Sequence, residues 1–157
     1  MAVPLFMDMF RRPFSRCVLQ RGSTWTVSTY GSYVAIPWDV AGLVDPDFTF
    51  SAPGTAVTVN FAGTVLLNAH LSISRSTSAT GPLTGWASFR RSGTTVGHWS
   101  RGHSFGAAYD AWQINLCDIR TCAKGQTFDL VVQLGRSGTD DWYLAAWFGE
   151  MTLLRIG

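Results

Sequence analysis

An all-β architecture, two antiparallel sheets packed as a sandwich or jelly roll, is predicted by three features of this sequence. The stretch FAGTVLLNAHLSIS, Phe61 to Ser74, sets Val65, Leu67, Ala69, Leu71 and Ile73 in alternation with Leu66, Asn68, His70, Ser72 and Ser74. That period of two belongs to a strand with one buried face. The rhythm recurs at Trp112, Ile114 and Leu116, at Phe128, Leu130, Val132 and Leu134, and in a last run ending at Ile156. Composition agrees: seven Trp, ten Phe and sixteen Gly, with 46% hydrophobic and only 14% charged residues, suit short strands joined by tight turns and exclude a disordered chain. At 157 residues the chain fits one domain with an appended arm.

The arm is assigned to residues 1–30 and the sandwich to 31–157. Leu5, Phe6, Met7, Met9, Phe10 and Phe14 mix with arginines and two prolines, without sustained helical or strand periodicity. A segment this apolar is expected to lie against something, either a partner or its own domain. Arg11, Arg12, Arg16 and Arg21 against Asp8 give residues 1–22 a net charge of +3, leaving the body at −1. A solvated or loosely docked tail is the plain alternative.

A first strand is expected from near Tyr33 to Trp38, between breaks at Gly31 and Pro37. Asp45, Pro46 and Asp47 read as a turn, Phe48 to Phe50 as a short segment, and Ala52-Pro53-Gly54 as a break before Val57, Val59 and Phe61. The long strand follows, then a Ser, Thr, Gly and Pro loop from Arg75 to Gly85. Trp86 to Arg91 and Thr94 to Trp99 flank Ser92-Gly93, which predicts a hairpin with glycine at positive φ. After a loop from Ser100 to Asp110 come the strand of Trp112 to Leu116, the turn Ala123 to Gln126, the strand of Phe128 to Leu134 and a glycine-rich connection to Asp141. The last strand, Trp142 to Ile156, changes phase near Gly149. A β-bulge there returns either Met151 and Leu153, or Leu154 and Ile156, to the inward face. Eight to ten strands and no helix are expected.

Little chemistry accompanies this scaffold. His70, His98 and His103 lack metal-ligand spacing, and no GxSxG, P-loop or acid/base pair is visible. Asp45 with Asp47, or Asp140 with Asp141, offers oxygens to calcium, but turn formation explains both pairs. Arg90 and Arg91 beside Phe89 are the one basic-aromatic cluster, too small for a nucleic-acid groove in a net negative body. Cys17, Cys117 and Cys122 form an odd set without a secretory signal, which predicts reduced thiols made in a cytosol. Cys117 and Cys122 are either bridged across a bend or, the preferred reading, buried or idle. No apolar run reaches the roughly 20 residues that span a bilayer. No enzyme activity, catalytic residue, metal, cofactor, nucleic acid or membrane partner is therefore expected.

Three stretches together resemble the tumour necrosis factor and complement-q-like jelly roll. FAGTVLLNAHLSIS is similar to the family's strand after a glycine turn, with Val65 where an aromatic is usual. AKGQTFDLVVQL (Ala123 to Leu134) is similar to its lysine-glycine turn and strand, and WFGEMTLLRIG (Trp147 to Gly157) to its closing phenylalanine-glycine and paired leucines. VAIPWDV (Val34 to Val40) and the DPDFTF turn resemble versions found in bacteriophage particles. The resemblance, over roughly residues 30–157, implies a ten-stranded, non-enzymatic jelly roll assembled as a homotrimer with aromatic residues along its three-fold axis. It suggests a virion structural protein made in the host cytoplasm: a trimeric capsid decoration (cement) protein on the outer surface. Leu5, Phe6, Met9, Phe10, Arg11, Arg12, Phe14 and Arg16 would dock the arm to the major capsid protein or another virion protein. The alternative is the receptor-binding tip of a tail or head fibre, with Trp99, His103 and Tyr109 as candidate recognition residues.

Overall fold

The structure, a computed structural model, describes residues 14–27, 29, 31–75, 84–101, 111–135 and 142–157. Among these, twelve strands form two six-stranded sheets. They are β1 (Arg16–Gln20), β2 (Trp25–Val27), β3 (Tyr33–Ala35), β4 (Val40–Val44), β5 (Phe48–Thr49), β6 (Ala56–Val59), β7 (Gly63–Arg75), β8 (Thr84–Arg91), β9 (Thr94–Arg101), β10 (Ala111–Cys122), β11 (Thr127–Gly135) and β12 (Trp142–Arg155). Sheet I has the order β10-β7-β12-β1-β4, with β2 also on β12; sheet II has the order β5-β6-β11-β8-β9, with β3 also on β11. All described pairings are antiparallel. The predicted two-sheet, all-β jelly-roll class is what the chain adopts.

The core follows from the alternation. Leu67, Leu71 and Ile73 of β7, Ile114 of β10 and Leu153 of β12 are fully buried on one sheet; Val57, Val59, Phe128, Leu130 and Val132 are fully buried on the other. Each such aliphatic side chain is worth about 1.5–3 kcal/mol of transfer free energy when completely buried. Among the described residues, Trp38, Phe89 and Phe128 are the bulkiest of the fully enclosed side chains.

The β8–β9 hairpin turns on Ser92 (φ 48°) and Gly93 (φ 81°), so both residues, not glycine alone, take positive φ. That is the two-residue turn whose twist matches the flanking strands. The predicted phase change in β12 lies between Leu144 and Gly149, where its pairing with β7 shifts register. Beyond it Met151 and Leu153 point inward, which decides between the two alternatives; Leu154 is half-buried and Ile156 exposed.

The beginning of the chain differs from the expected arm. Arg16–Gln20 is a strand within sheet I, paired with β12 on one side and β4 on the other, and Trp25–Val27 adds to β12. Cys17 and Leu19 are fully buried there. Two alternating apolar residues are enough for a strand when long neighbours supply its hydrogen bonds, although they are too few to register as periodicity. The expected first strand shrinks to Tyr33–Ala35, with Trp38 held by a single bridge to Gly54. Short strands β1, β2 and β4 raise the count above the expected eight to ten. The hairpin strands also run further than expected, β8 starting at Thr84 and β9 continuing to Arg101.

Candidate interaction surface

The outward face of sheet I is ordered in rows by strand register. Asn115, His70, Glu150 and Gln20 lie side by side across β10, β7, β12 and β1. The next row is Cys117, Asn68, Thr152 and Val18, and the next Ile119, Leu66, Leu154 and Arg16. One step further are Thr121 and Thr64, with Ile156 beside Thr64 through the Ile156 N–H donating to the Thr64 carbonyl, 3.0 Å. Phe14 follows in the same phase of the chain as Arg16, and the Arg155 N–H donates to the Ser15 carbonyl beside it, 2.9 Å.

The face is therefore graded. At one end Phe14 is 66% exposed, Ile119 58% and Ile156 41%. Toward the other end polar side chains satisfy one another. His70 Nδ1 donates to Asn115 Oδ1, 2.6 Å; Gln20 Nε2 donates to Glu150 Oε2, 3.0 Å; Thr152 Oγ1 donates to Glu150 Oε1, 3.2 Å. Sheet II presents a different outer face, with Val131 and Ser88 fully buried at its centre.

The sandwich also has two unlike ends. At one, the chain enters beside the end of β12, and the Thr64 N–H donates to the Gly157 carbonyl, 2.7 Å. A Cβ at Gly63 would stand 2.1 Å from that carbonyl oxygen, so glycine is required by the close approach. At the opposite end lie the strand termini that flank residues 76–83, 102–110 and 136–141: Arg75 beside Trp142, Ser74 beside Ala111, Thr84 beside Gly135 and Trp86 beside Arg101.

Of the residues assigned to docking, Leu5, Phe6, Met9, Phe10, Arg11 and Arg12 lie outside the described residues. Phe14 is exposed, and Arg16 is an exposed residue of β1 whose amide donates to Asp45 Oδ2, 2.8 Å. Of the recognition set, Trp99 falls in β9 near the irregularity of its pairing with β8, while His103 and Tyr109 lie outside the described residues.

Arg21, counted by sequence among the arm's charges, is a structural residue only 6% exposed. Its guanidinium pairs with Asp39 at 3.5 Å, donates from Nε to the Ser23 carbonyl at 3.1 Å and caps the Pro37 carbonyl. Asp39 also accepts from the Gly22 amide, 2.6 Å, and from Ser23 Oγ. Burial works to raise the Asp39 pKa, but these hydrogen bonds and the Arg21 charge outweigh it and hold the carboxyl below its usual value. This clasp ties the β1–β2 connection to the β3–β4 connection; no local sequence signal joins residues so far apart.

The other charged candidates are also engaged. Asp47 pairs with Arg155 at 3.0 Å, and Arg155 stacks on Phe61 with 4.6 Å to the ring centroid. Arg90 is bidentate to Asp129, which raises its pKa, and Arg91 donates to the Thr121 carbonyl, 3.2 Å. Asp140 and Asp141 lie outside the described residues. Among the described residues no three His, Cys, Asp or Glu side chains gather as a metal set, and no helix is long and apolar enough to cross a membrane.

All three cysteines are free, Cys17 and Cys122 buried and Cys117 exposed. The bend that a Cys117–Cys122 bridge requires, the less favoured of the two readings, is continuous strand in β10, with the two thiols on opposite faces. Five residues of strand separate them by about 17 Å, well beyond the roughly 7 Å limit for a bridge. Burial, aided by Asp45, pushes the Cys17 thiol up to about 12; burial also raises Cys122.

No family profile and no curated protein sequence matches the chain. Solved structures do. The Eiger TNF of S. frugiperda is similar over 93% of this chain and 94% of its own, with 14% identity and a TM-score of 0.64. The globular domain of zebrafish complement 1qA covers 91% of this chain and 98% of its own, at 13% identity and a TM-score of 0.57. Murine APRIL at pH 5.0 covers 91% and 99%, at 14% identity and a TM-score of 0.57. The chain thus shares the jelly-roll fold of the tumour necrosis factor and complement 1q globular domains.

Proposed function

We propose that this protein is a non-enzymatic structural component of a bacteriophage particle, a homotrimeric capsid decoration protein anchored by its first residues. The observation that carries this reading is the polarity of the sandwich. The chain enters at one end, beside Gly63 and Gly157, while the connections at 76–83, 102–110 and 136–141 are anchored at the other. A module built this way attaches at one end and presents the other outward. Three arms leaving one trimer bind together, so contacts weak individually become strong through effective concentration. The body supports a scaffolding role, since Arg90, Asp129, Asp47, Arg155, Arg21 and Asp39 are paired with one another.

The test is a deletion that stops at residue 13, because Cys17 and Leu19 belong to the core. The shortened protein should keep its fold and native mass and should no longer co-sediment with purified particles stripped of the full-length protein. Binding at full occupancy refutes the arm's role. A second reading, a receptor-binding tip, is favoured by the gathering of three long connections at the far end. Specific binding to host cells that is lost in Trp99→Ala or Tyr109→Ala would support it.

A further inference from the structure

We propose that the outward face of sheet II carries a saccharide-binding platform, formed by Tyr33, Gln133 and Trp86 in one row across β3, β11 and β8, and that its ligand is an uncharged chain of pyranose rings. The site requires neither a homotrimer nor a place on a particle.

Register makes the row. Leu130, Val132 and Leu134 of β11 face the core, which turns Gln133 outward, and Gln133 stands between Tyr33 of β3 and Trp86 of β8. Among the described residues Tyr33, 39% exposed, is the one conspicuously exposed large hydrophobic side chain on sheet II; Gln133 and Trp86 are half-buried. The next row, Ala35, Val131 and Ser88, has small side chains, and Val131 and Ser88 are fully buried although they point away from the core. The aromatic row therefore rests against a closed layer, and less freedom is lost when a ligand settles on it. It also lies beside the strand ends that flank residues 76–83, 102–110 and 136–141, the end turned away from the chain's entry.

Spacing and chemistry select the ligand. Two strand separations set Tyr33 and Trp86 about 10 Å apart, the reach of two linked pyranose rings. The C–H groups on one face of a pyranose pack against the electron-rich face of an aromatic ring, and the hydroxyls at its edge need a partner between the two rings. Gln133 supplies an acceptor: its Nε2 donates to the Gly31 carbonyl, 2.8 Å, which fixes the amide, and among the described residues no donor meets its Oε1. Charge and size exclude other occupants. No carboxylate stands in the row, whose next member, on β9, is Arg101, and Arg90 and Asp129 further along the face neutralise each other. One cation in a net negative body does not make the positive groove that single-stranded nucleic acid requires. A protein partner needs roughly 800 Å², whereas three strands over one row present on the order of 100 Å².

Titration of the full chain with neutral cello-, chito-, malto- and xylo-oligosaccharides, read by tryptophan fluorescence and calorimetry, tests the platform. At least one series should bind with a dissociation constant on the order of a millimolar, as expected of an open surface that covers one side of its ligand. Tyr33→Ala, a change at an exposed position, should keep the far-UV spectrum and weaken binding at least about tenfold, while Tyr33→Phe, which retains the ring, should change it by less than about threefold. Trp86→Ala should weaken it by at least as much as Tyr33→Ala, and Gln133→Ala by about threefold or more. No binding of any series at millimolar concentration overturns the platform. So does binding that survives both Tyr33→Ala and Trp86→Ala, or saturable binding of oligo-dT in place of every saccharide. Each of these results leaves the particle reading standing, since the deletion of residues 1–13 decides that separately. Should Trp86→Ala fail to fold, the contrast between Tyr33→Ala and Tyr33→Phe decides.

Discussion

Adjacent leucines on β7 should respond very differently to the same substitution. Leu67 is fully buried, in register with Leu153 of β12 and Asp118 of β10, whereas Leu66 is half-buried on the outward face. Leu67→Ala removes buried methyl groups from the inter-sheet layer and leaves a cavity that two paired strands prevent from collapsing. The expected cost is about 3 kcal/mol, within the roughly 2–5 kcal/mol range of buried leucine truncations. For a chain of this length that lowers Tm by about 6–12 °C, at about 2–4 °C per kcal/mol. Leu66→Ala forfeits only part of a half-buried side chain, about 1 kcal/mol or less at dilutions where the protein is monomeric, and its effect should grow with protein concentration if copies cover the face. Urea unfolding followed by tryptophan fluorescence at two protein concentrations measures both. Equal losses, or a larger loss for Leu66→Ala in dilute solution, would falsify the register of β7, since a one-residue slip exchanges the two faces.

Two further outcomes concern charged pairs. Arg90→Met should cost about 2–3 kcal/mol by leaving the nearly buried Asp129 carboxylate without its bidentate partner; adding Asp129→Asn should recover part of this, and a double-mutant cycle without coupling would refute the pair's role. The Asp39 carboxyl is held below its usual value in the folded protein, so the unfolded chain binds the extra proton first as acid is added. Its stabilisation is complete above the unfolded pKa of about 3.9 and is lost as pH falls through the lower folded pKa. Stability measured from pH 6 to pH 2.5 should accordingly fall less steeply in Asp39→Asn than in the wild type, and identical slopes would count against the clasp.

Alternation along a strand is a local property, and it made the inward faces of β7, β10 and β11 readable directly: Leu67, Ile114 and Leu130 are buried as their spacing requires. The Ser92-Gly93 turn was readable for the same reason, because two residues contain its whole geometry. The phase change of β12 was visible, but its direction was not; pairing with β7 settled it in favour of Met151 and Leu153. What the tertiary structure alone decided is which strands become neighbours. Gln20 reaches Glu150 and Arg155 reaches Asp47 across most of the chain, and no short-range pattern encodes such a closure. The capture of β1 by β12 and β4, the burial of Arg21, and the aliphatic rows beside Phe14 all follow from it. A sheet face is assembled from strands distant in sequence, so its composition exists only once the register is set.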